Sequence, residues 1–230
     1  MSTDVSVLED LARKYGTDKA PLGYIPCYAQ HFASLRDKDV RLLEIGVGGY
    51  RDPKAGGESL RMWKAYFEKG RIYGIDSVDK TAIDEARIKT FRGDQRDASF
   101  LARVAAEIGP IDIVVDDGSH VCGDVIACFE SLFPALADGG IYVIEDLQTT
   151  YWPKFEGRWE NLEASGTTMS LIKSLADGLN YQFIPHRQPS YFDRHVASLA
   201  LYPKMAFIFK GRNDRTPSEF AQQVMHELNA

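Results

Sequence analysis

Acidic side chains follow two apolar segments of this sequence, at positions where parallel strands would end. Asp117 comes just after one apolar run, and Glu145 and Asp146 come directly after the next. Because ligands of parallel sheets bind beyond the carboxyl ends of the strands, we expect these three carboxylates to meet at one edge. Hard oxygen donors without a nearby cysteine suit Mg²⁺. The pattern predicts a magnesium site with Asp117, Glu145 and Asp146 as its ligands.

His120 lies three residues beyond Asp117, close enough in sequence to approach the same position. A neutral imidazole beside a bound metal ion could take the proton of a hydroxyl group as a general base. The alternative is structural: Glu145 and Asp146 could cap the following segment, and His120 could be an ordinary buried histidine.

A glycine-rich turn follows the first apolar run, with Glu44 two residues before Gly46 and with Gly48 two residues after it. Such a turn between a strand and a helix lets a ligand approach the backbone closely. Arg51 stands where the dinucleotide-binding fingerprint needs glycine or alanine, which argues against NAD. The pattern instead resembles motif I of the class I S-adenosylmethionine-dependent methyltransferases.

Polar residues also end the second and third predicted strands. Asp76 ends the second, where a carboxylate can accept hydrogen bonds from both ribose hydroxyls, although it could also be a turn residue. Asp94 and Gln95 follow the third, where a polar group often recognises adenine, or where they could be the solvated start of the next helix.

Apolar runs and helical patterns alternate along the chain. Strands are predicted at 40–46, 71–76, 90–93, 111–115 and 141–144, and helices at 4–16, 60–67, 81–89, 98–108 and 121–137. Two further strands, 196–201 and 205–210, form a hairpin-like pair. This alternation predicts an α/β fold of the class I methyltransferase (Rossmann-like) type, with a seven-stranded, mostly parallel sheet that ends in a C-terminal antiparallel hairpin.

The composition fits one domain spanning 1–230, with an N-terminal helical or lid segment (1–38) and an acceptor-side segment (151–192). A net charge of −6 argues against nucleic-acid binding, and no apolar stretch reaches membrane-spanning length. Three cysteines without C-x-x-C spacing indicate reduced thiols and a cytoplasmic location.

Four motifs, LEIGVGGY, GGESLRMW, DDGSH and EDLQTTYW, resemble the metal-dependent sugar O-methyltransferases of macrolide biosynthesis, which include the mycinamicin and tylosin deoxysugar enzymes. The resemblance covers the catalytic module alone. It implies S-adenosylmethionine as donor, Mg²⁺ as cofactor, the three metal ligands above and His120 as base. The predicted cofactor-binding residues are Tyr24, Glu44, Gly46, Gly48, Ser59, Asp76, Asp94, Gln95 and Asp116.

The expected substrate is a glycoside whose sugar hydroxyl is methylated, and Tyr151 and Trp152 are the predicted acceptor-binding residues. The aromatic side chains of segment 151–192 suit a sugar face, but they could equally pack a lid or a contact within the expected homo-oligomer. Two alternatives stay open, namely catechol-type methylation and a non-catalytic, S-adenosylmethionine-binding partner of another enzyme. A dehydrogenase is disfavoured because Arg51 stands at the last glycine position of the dinucleotide-binding fingerprint.

Overall fold

The computed structural model describes residues 3–214 and 216–228, in which helices cover both faces of one seven-stranded sheet. The strands are β1 Arg41–Ile45, β2 Arg71–Asp76, β3 Ile88–Arg92, β4 Ile111–Asp116, β5 Leu136–Ile144, β6 Val196–Tyr202 and β7 Met205–Lys210. The α-helices are α1 Thr3–Tyr15, α2 Ile25–Phe32, α3 Glu58–Tyr66, α4 Ala98–Ile108, α5 Cys122–Leu132, α6 Thr168–Gly178, α7 Tyr191–His195 and α8 Glu219–Leu228.

The strand order is β3-β2-β1-β4-β5-β7-β6. Strands β1 to β5 pair in parallel, whereas β7 runs antiparallel to both β5 and β6. This arrangement confirms the predicted class I methyltransferase fold, including its C-terminal antiparallel hairpin. The chain order reverses direction across the sheet between β1 and β4, which is where open α/β sheets bind their ligands.

Two apolar layers hold the sheet in place. Alternate residues of β1, Leu42 and Leu43, point to opposite faces and join different buried clusters. One cluster contains side chains from α1, α2 and α3, and the other contains side chains from α4, α5 and α6. The central strands are therefore buried on both faces, as their continuous apolar runs predicted.

The predicted helix at 81–89 is wrong. Only Thr81–Ile83 forms a 3₁₀ turn, and β3 begins at Ile88. The side chain of Asp84 accepts hydrogen bonds from the backbone N–H (2.8 Å) and the hydroxyl (2.7 Å) of Thr90, which ties the segment to β3. Such a side-chain bond to the backbone competes with helix formation.

The predicted helix at 121–137 is too long. The α-helix ends at Leu132, a short 3₁₀ helix contains Pro134, and β5 begins at Leu136. Proline cannot donate a backbone hydrogen bond within a helix, which explains the early end. Gly139 and Gly140 therefore do not terminate a helix but lie inside β5, where the register with β4 shifts.

Candidate active site

The strand ends that carry the acidic residues lie side by side. The backbone N–H of Asp117 donates to the carbonyl of Ile45 at the end of β1, and the N–H of Glu145 donates to the carbonyl of Asp116 at the end of β4, both at 3.0 Å. The parallel pairing thus carries β1, β4 and β5 to the same edge of the sheet. Residues far apart in the chain, such as Ile45 and Asp117, become neighbours there.

A cavity of about 1040 Å³ opens at this edge. Its wall combines the turn after β1, the ends of β2 and β3, the segment after β4, and the residues that follow α1. This volume is at the upper end for small-molecule sites. Of the predicted cofactor-binding residues, the cavity is lined by Gly46, Gly48, Ser59, Asp76, Asp94 and Gln95.

Gly46 is required where β1 meets the end of β4. Its φ is +87°, and a Cβ placed there would lie 2.1 Å from the carbonyl oxygen of Asp117. No other residue fits this close approach of two backbones. The glycine that the sequence pattern singled out thus shapes the cavity floor.

Asp76 is held in place by backbone donors. One carboxylate oxygen accepts from the N–H of Val47 at 3.1 Å, and the other accepts from the N–H of Val78 at 2.8 Å. Each oxygen keeps a second lone pair, so the carboxylate can still accept bonds from a ligand in the cavity. This fixed orientation suits the predicted ribose contact.

Gln95 carries an unpaired donor at the cavity wall. Its side-chain oxygen accepts from the N–H of Ser119 at 2.9 Å, while its buried Nε2 has no partner among the described residues. A buried N–H group without an acceptor is costly, and a ring nitrogen of adenine could satisfy it. Asp94 differs, because a bidentate ion pair with Arg96 holds its carboxylate and lowers its pKa.

Three predicted cofactor residues lie outside the cavity wall. Tyr24 donates its hydroxyl to Asp146. Glu44 is fully buried and accepts from the indole N–H of Trp63 at 2.9 Å. Asp116 accepts from the hydroxyl of Tyr142 at 2.9 Å, and burial raises its pKa to about 7. Any part these three play in cofactor binding would be indirect.

Lys19 is the site residue that the sequence reasoning missed. Its fully buried ammonium lies 2.7 Å from Asp117 Oδ2, 2.7 Å from Glu145 Oε1 and 3.1 Å from Glu44 Oε1. Burial alone would lower the pKa of Lys19, but these three carboxylates raise it well above the ordinary lysine value. A charged lysine therefore occupies the centre of the predicted acidic cluster.

Asp117, His120 and Asp146 form the group with metal-binding geometry. One ligand atom from each lies within 4.8 Å of the other two, each side chain is partly exposed, and Asp117 and His120 line the cavity. His120 Nε2 is 3.5 Å from Asp146 Oδ2 and 3.8 Å from Asp117 Oδ1. Two carboxylates and an imidazole at such spacing can hold a divalent cation.

Glu145 lies deeper than the other two predicted metal ligands. Its Oε1 accepts hydrogen bonds from both Lys19 and the hydroxyl of Tyr28, so only its second oxygen is left for a cation. Burial and the neighbouring Asp117 raise the pKa of Glu145 well above its usual value, against the effect of Lys19. For Asp146, burial is outweighed by hydrogen bonds from Tyr24 and Gln148, which hold its pKa below the usual range.

Two residues of the metal-binding group have strained backbones. His120 (φ +57°) and Asp146 (φ +49°) both occupy the left-handed region. Asp146 begins the 3₁₀ helix Leu147–Tyr151 but makes no capping hydrogen bond with its side chain. The capping alternative therefore does not account for Asp146, whose carboxylate faces Tyr24 and His120 instead. Strain of this kind costs of order 1–3 kcal/mol and is typical of functional sites.

Aromatic side chains extend from His120 towards segment 151–192. The ring of Phe155 lies 6.4 Å from His120 and 6.0 Å from Trp152, measured between ring centroids. Trp152 is half exposed, at 49%. The predicted acceptor residue Trp152 is thus linked to His120 through Phe155, whereas Tyr191, farther along the segment, stacks on His195.

A second buried lysine organises the loop at the cavity mouth. Lys80 donates to the backbone carbonyls of Tyr50 (3.0 Å), Asp52 (2.7 Å) and Ala55 (3.0 Å). All three ammonium protons are thereby used. Tyr50 and Arg51, which line the cavity, belong to this loop and are therefore held in place by Lys80.

The chain is similar to enzymes that methylate sugars of natural products. It is 49% identical over 214 residues to the mycinamicin VI 2''-O-methyltransferase of Micromonospora griseorubida, covering 90% of this chain and 53% of the relative. It is 48% identical over 216 residues to the 8-demethyl-8-alpha-L-rhamnosyl tetracenomycin-C 2'-O-methyltransferase of Streptomyces olivaceus, covering 91% and 56%.

The chain is also similar to a methyltransferase of known structure. The MycE methyltransferase of the mycinamycin biosynthetic pathway, in complex with Mg and SAH, matches with a TM-score of 0.90 and 44% identity over 100% of this chain and 61% of that one. The chain therefore spans a little over half the length of these proteins. No protein-family model matches it. Within the described residues, no helix combines the length and apolar character needed to cross a membrane.

Proposed function

The chain belongs, over the part that they share, to the family of sugar O-methyltransferases acting on macrolide and tetracenomycin glycosides, and from this premise we propose its function. It transfers the methyl group of S-adenosylmethionine to a sugar hydroxyl of a glycoside, with Mg²⁺ as cofactor. One observation carries this proposal: the cavity at the strand ends is adjacent to the group Asp117, His120 and Asp146.

The cavity residues suit an adenosine-containing donor. Asp76 would accept hydrogen bonds from the ribose hydroxyls, and the unpaired Nε2 of Gln95 would donate to the adenine ring. The turn beginning at Gly46 brings backbone atoms close to the ligand. Each of these contacts uses a polar group that the fold already holds in one orientation.

The acidic group suits a magnesium ion. Asp117 and Asp146 would hold it, with the second oxygen of Glu145 as a third ligand. A bound Mg²⁺ would supply positive charge beside the acceptor hydroxyl and so make that hydroxyl more acidic.

His120 provides the base in this proposal. The sulfonium methyl group is already an activated electrophile, so the protein has to align the acceptor oxygen with it and remove one proton. Nε2 of His120 would take that proton, since it points towards Asp117 and Asp146. Tyr151, Trp152 and the adjacent Phe155 would hold the sugar on the acceptor side.

A methyl-transfer screen tests the proposal. The protein is incubated with methyl-labelled S-adenosylmethionine, Mg²⁺ and a panel of deoxysugar glycosides, with a catechol and the free aglycones as comparison acceptors. We expect label on a sugar oxygen, located by NMR. Label on the catechol alone would favour the catechol-type alternative, and donor binding without transfer to any acceptor would favour a non-catalytic partner.

Two further expectations from the sequence stay proposals. The absence of disulfides, since Cys27, Cys122 and Cys128 are all free, supports a cytoplasmic location. A homo-oligomer is also proposed, and its test is the mass in solution measured by light scattering.

A further inference from the structure

Lys19 joins three strands through one side chain. Its carboxylate partners Glu44, Asp117 and Glu145 come from the ends of β1, β4 and β5. A lysine with no exposed surface is rare, and it is tolerated when its charge is fully paired. Its ammonium donates hydrogen bonds to Asp117 and Glu145 and forms an ion pair with Glu44.

The residues just before Lys19 in the chain belong to the wall of the donor cavity. Gly16, Thr17 and Asp18, immediately before it in the chain, line that cavity. The backbone around Lys19 is fixed, because the N–H of Tyr24 donates to its carbonyl at 3.0 Å. The segment 16–24 between α1 and α2 is thus tied to the acidic cluster by the side chain of Lys19, and its last residue, Tyr24, adds a hydrogen bond to Asp146.

Lys19 also binds one carboxylate oxygen of Asp117 and leaves the other facing His120. Oδ2 accepts from the ammonium at 2.7 Å, while Oδ1 faces Nε2 of His120 at 3.8 Å. Because Oδ2 is bound to the ammonium group, the carboxylate of Asp117 is held in one rotamer, with Oδ1 on the side of Asp146. If the side chain of Asp117 could rotate freely, Oδ1 would no longer be held on that side.

From these contacts we infer that Lys19 is a positioning residue for two sites at once. It fixes Asp117 towards the proposed metal site, and it anchors segment 16–24, whose residues 16–18 line the donor cavity. The inference rests on the proposed function for the identity of the two ligands. Lys19 touches neither ligand in this account and acts through the groups that it holds. Its loss should therefore weaken two separate binding equilibria.

Lys19→Met tests the inference against a matched control. Lys210 is also buried, at 7% exposure, but it donates to the carbonyls of Pro134 and Leu136, at the start of β5 and so at the opposite end of that strand from Glu145. Lys210→Met should thus report the general effect of removing a buried lysine. Both variants and the wild type are studied as the full chain, well below their unfolding temperatures.

Two affinities are measured in the absence of turnover. S-adenosylhomocysteine binding is measured by calorimetry in EDTA, and Mn²⁺ binding is measured by electron paramagnetic resonance. We expect Lys19→Met to weaken each by about tenfold or more, since buried partners lose their donor, and Lys210→Met to change neither by more than about twofold. Unchanged affinities in Lys19→Met, or equal losses in the two variants, would overturn the inference.

The wild-type protein provides a measurement that does not depend on the variant folding. If Lys19 anchors segment 16–24, the backbone amides of Leu22 and Tyr24, which donate within this segment, should exchange slowly with solvent even without ligand. Exchange as fast as in an unstructured loop would contradict the anchoring. Failure of the methyl-transfer screen with both affinities lowered in Lys19→Met would instead count against the proposed function alone.

Discussion

Replacing His120 gives the most direct test of the proposed chemistry. The φ of +57° at this position makes asparagine the better replacement, because asparagine tolerates the left-handed region more readily than alanine does. Its amide cannot accept a proton at neutral pH. His120→Asn therefore removes the base while preserving the backbone, and His120→Ala serves as the second variant.

The expected loss follows from the contacts of the imidazole. Its Nε2 is 3.5 Å or more from both carboxylates, so its removal leaves no tight hydrogen bond unmade, and the stability should change little. A general base contributes about 10²- to 10⁴-fold to the rate. That range corresponds to about 3–5.5 kcal/mol of barrier height, which should appear almost entirely in kcat.

Single-turnover transfer of labelled methyl groups to a glycoside measures this loss, with S-adenosylhomocysteine and Mn²⁺ affinities measured in parallel. We expect both affinities to stay within about threefold of wild type, since the proposed function makes His120 the base and takes the metal ligands from Asp117, Asp146 and Glu145. His195→Asn is the control, because the imidazole of that histidine bonds to the carbonyl of Tyr191 and lies outside the cavity lining. A rate within about tenfold of wild type would refute the base assignment. A large loss of Mn²⁺ affinity would make His120 a metal ligand instead.

Three other outcomes are expected. EDTA should abolish methyl transfer and added Mg²⁺ should restore it, whereas full activity in metal-free buffer would contradict the metal assignment. Asp76→Ala should weaken S-adenosylhomocysteine binding by about 1–3 kcal/mol in calorimetry, while Asp79→Ala, whose carboxylate caps an exposed turn, should not change it. Lys80→Met should release its loop, so that trypsin cleaves after Arg51 or Lys54 much faster than in wild type; an unchanged cleavage pattern would show that the loop does not depend on the lysine.

The strands and the position of the site followed from the sequence because both depend on local patterns. An apolar run that ends in a glycine or an acid marks a buried strand and its functional end at the same time, as at Gly46 and Asp117. The parallel order of such strands then specifies which ends become neighbours. The confirmed fold and the shared edge of Asp117 and Asp146 both come from this reasoning.

The wrong helices arose where a side chain or a proline overrode the local pattern. Asp84 bonds to the backbone of Thr90, and Pro134 ends the helix early, but neither effect changes the apolar periodicity from which the helices were predicted. Periodicity reports which residues face the core, and it does not report which backbone groups find partners elsewhere. Both errors lie away from the strand ends, so the site was unaffected.

Lys19 was missed for a different reason. It is 98 residues from Asp117 and 126 residues from Glu145, in the segment that connects α1 and α2. Nothing local distinguishes a lysine that pairs with buried acids from one on the surface, since lysine is almost always exposed. The one available signal was indirect: several acids predicted to converge need a positive charge among them.

The number of charges at the site decides whether Lys19 replaces a metal ion or complements it. When the four carboxylates of Glu44, Asp117, Glu145 and Asp146 are all ionised, one ammonium group leaves three negative charges over, and the neighbouring charges of Asp117 and Glu44 contribute to the raised pKa of Glu145. Unpaired charges in a partly buried cluster cost several kcal/mol each, which a single lysine cannot offset. Lys19 and His120 also lie beside different carboxylate oxygens. Lys19 binds Asp117 Oδ2 and Glu145 Oε1, whereas Asp117 Oδ1 and Asp146 Oδ2 lie beside His120. The fixed ammonium group of Lys19 and one bound divalent ion would together balance the four carboxylates to within one charge. Because the two cations would contact different oxygens, Lys19 prepares the site for a metal ion and does not replace that ion.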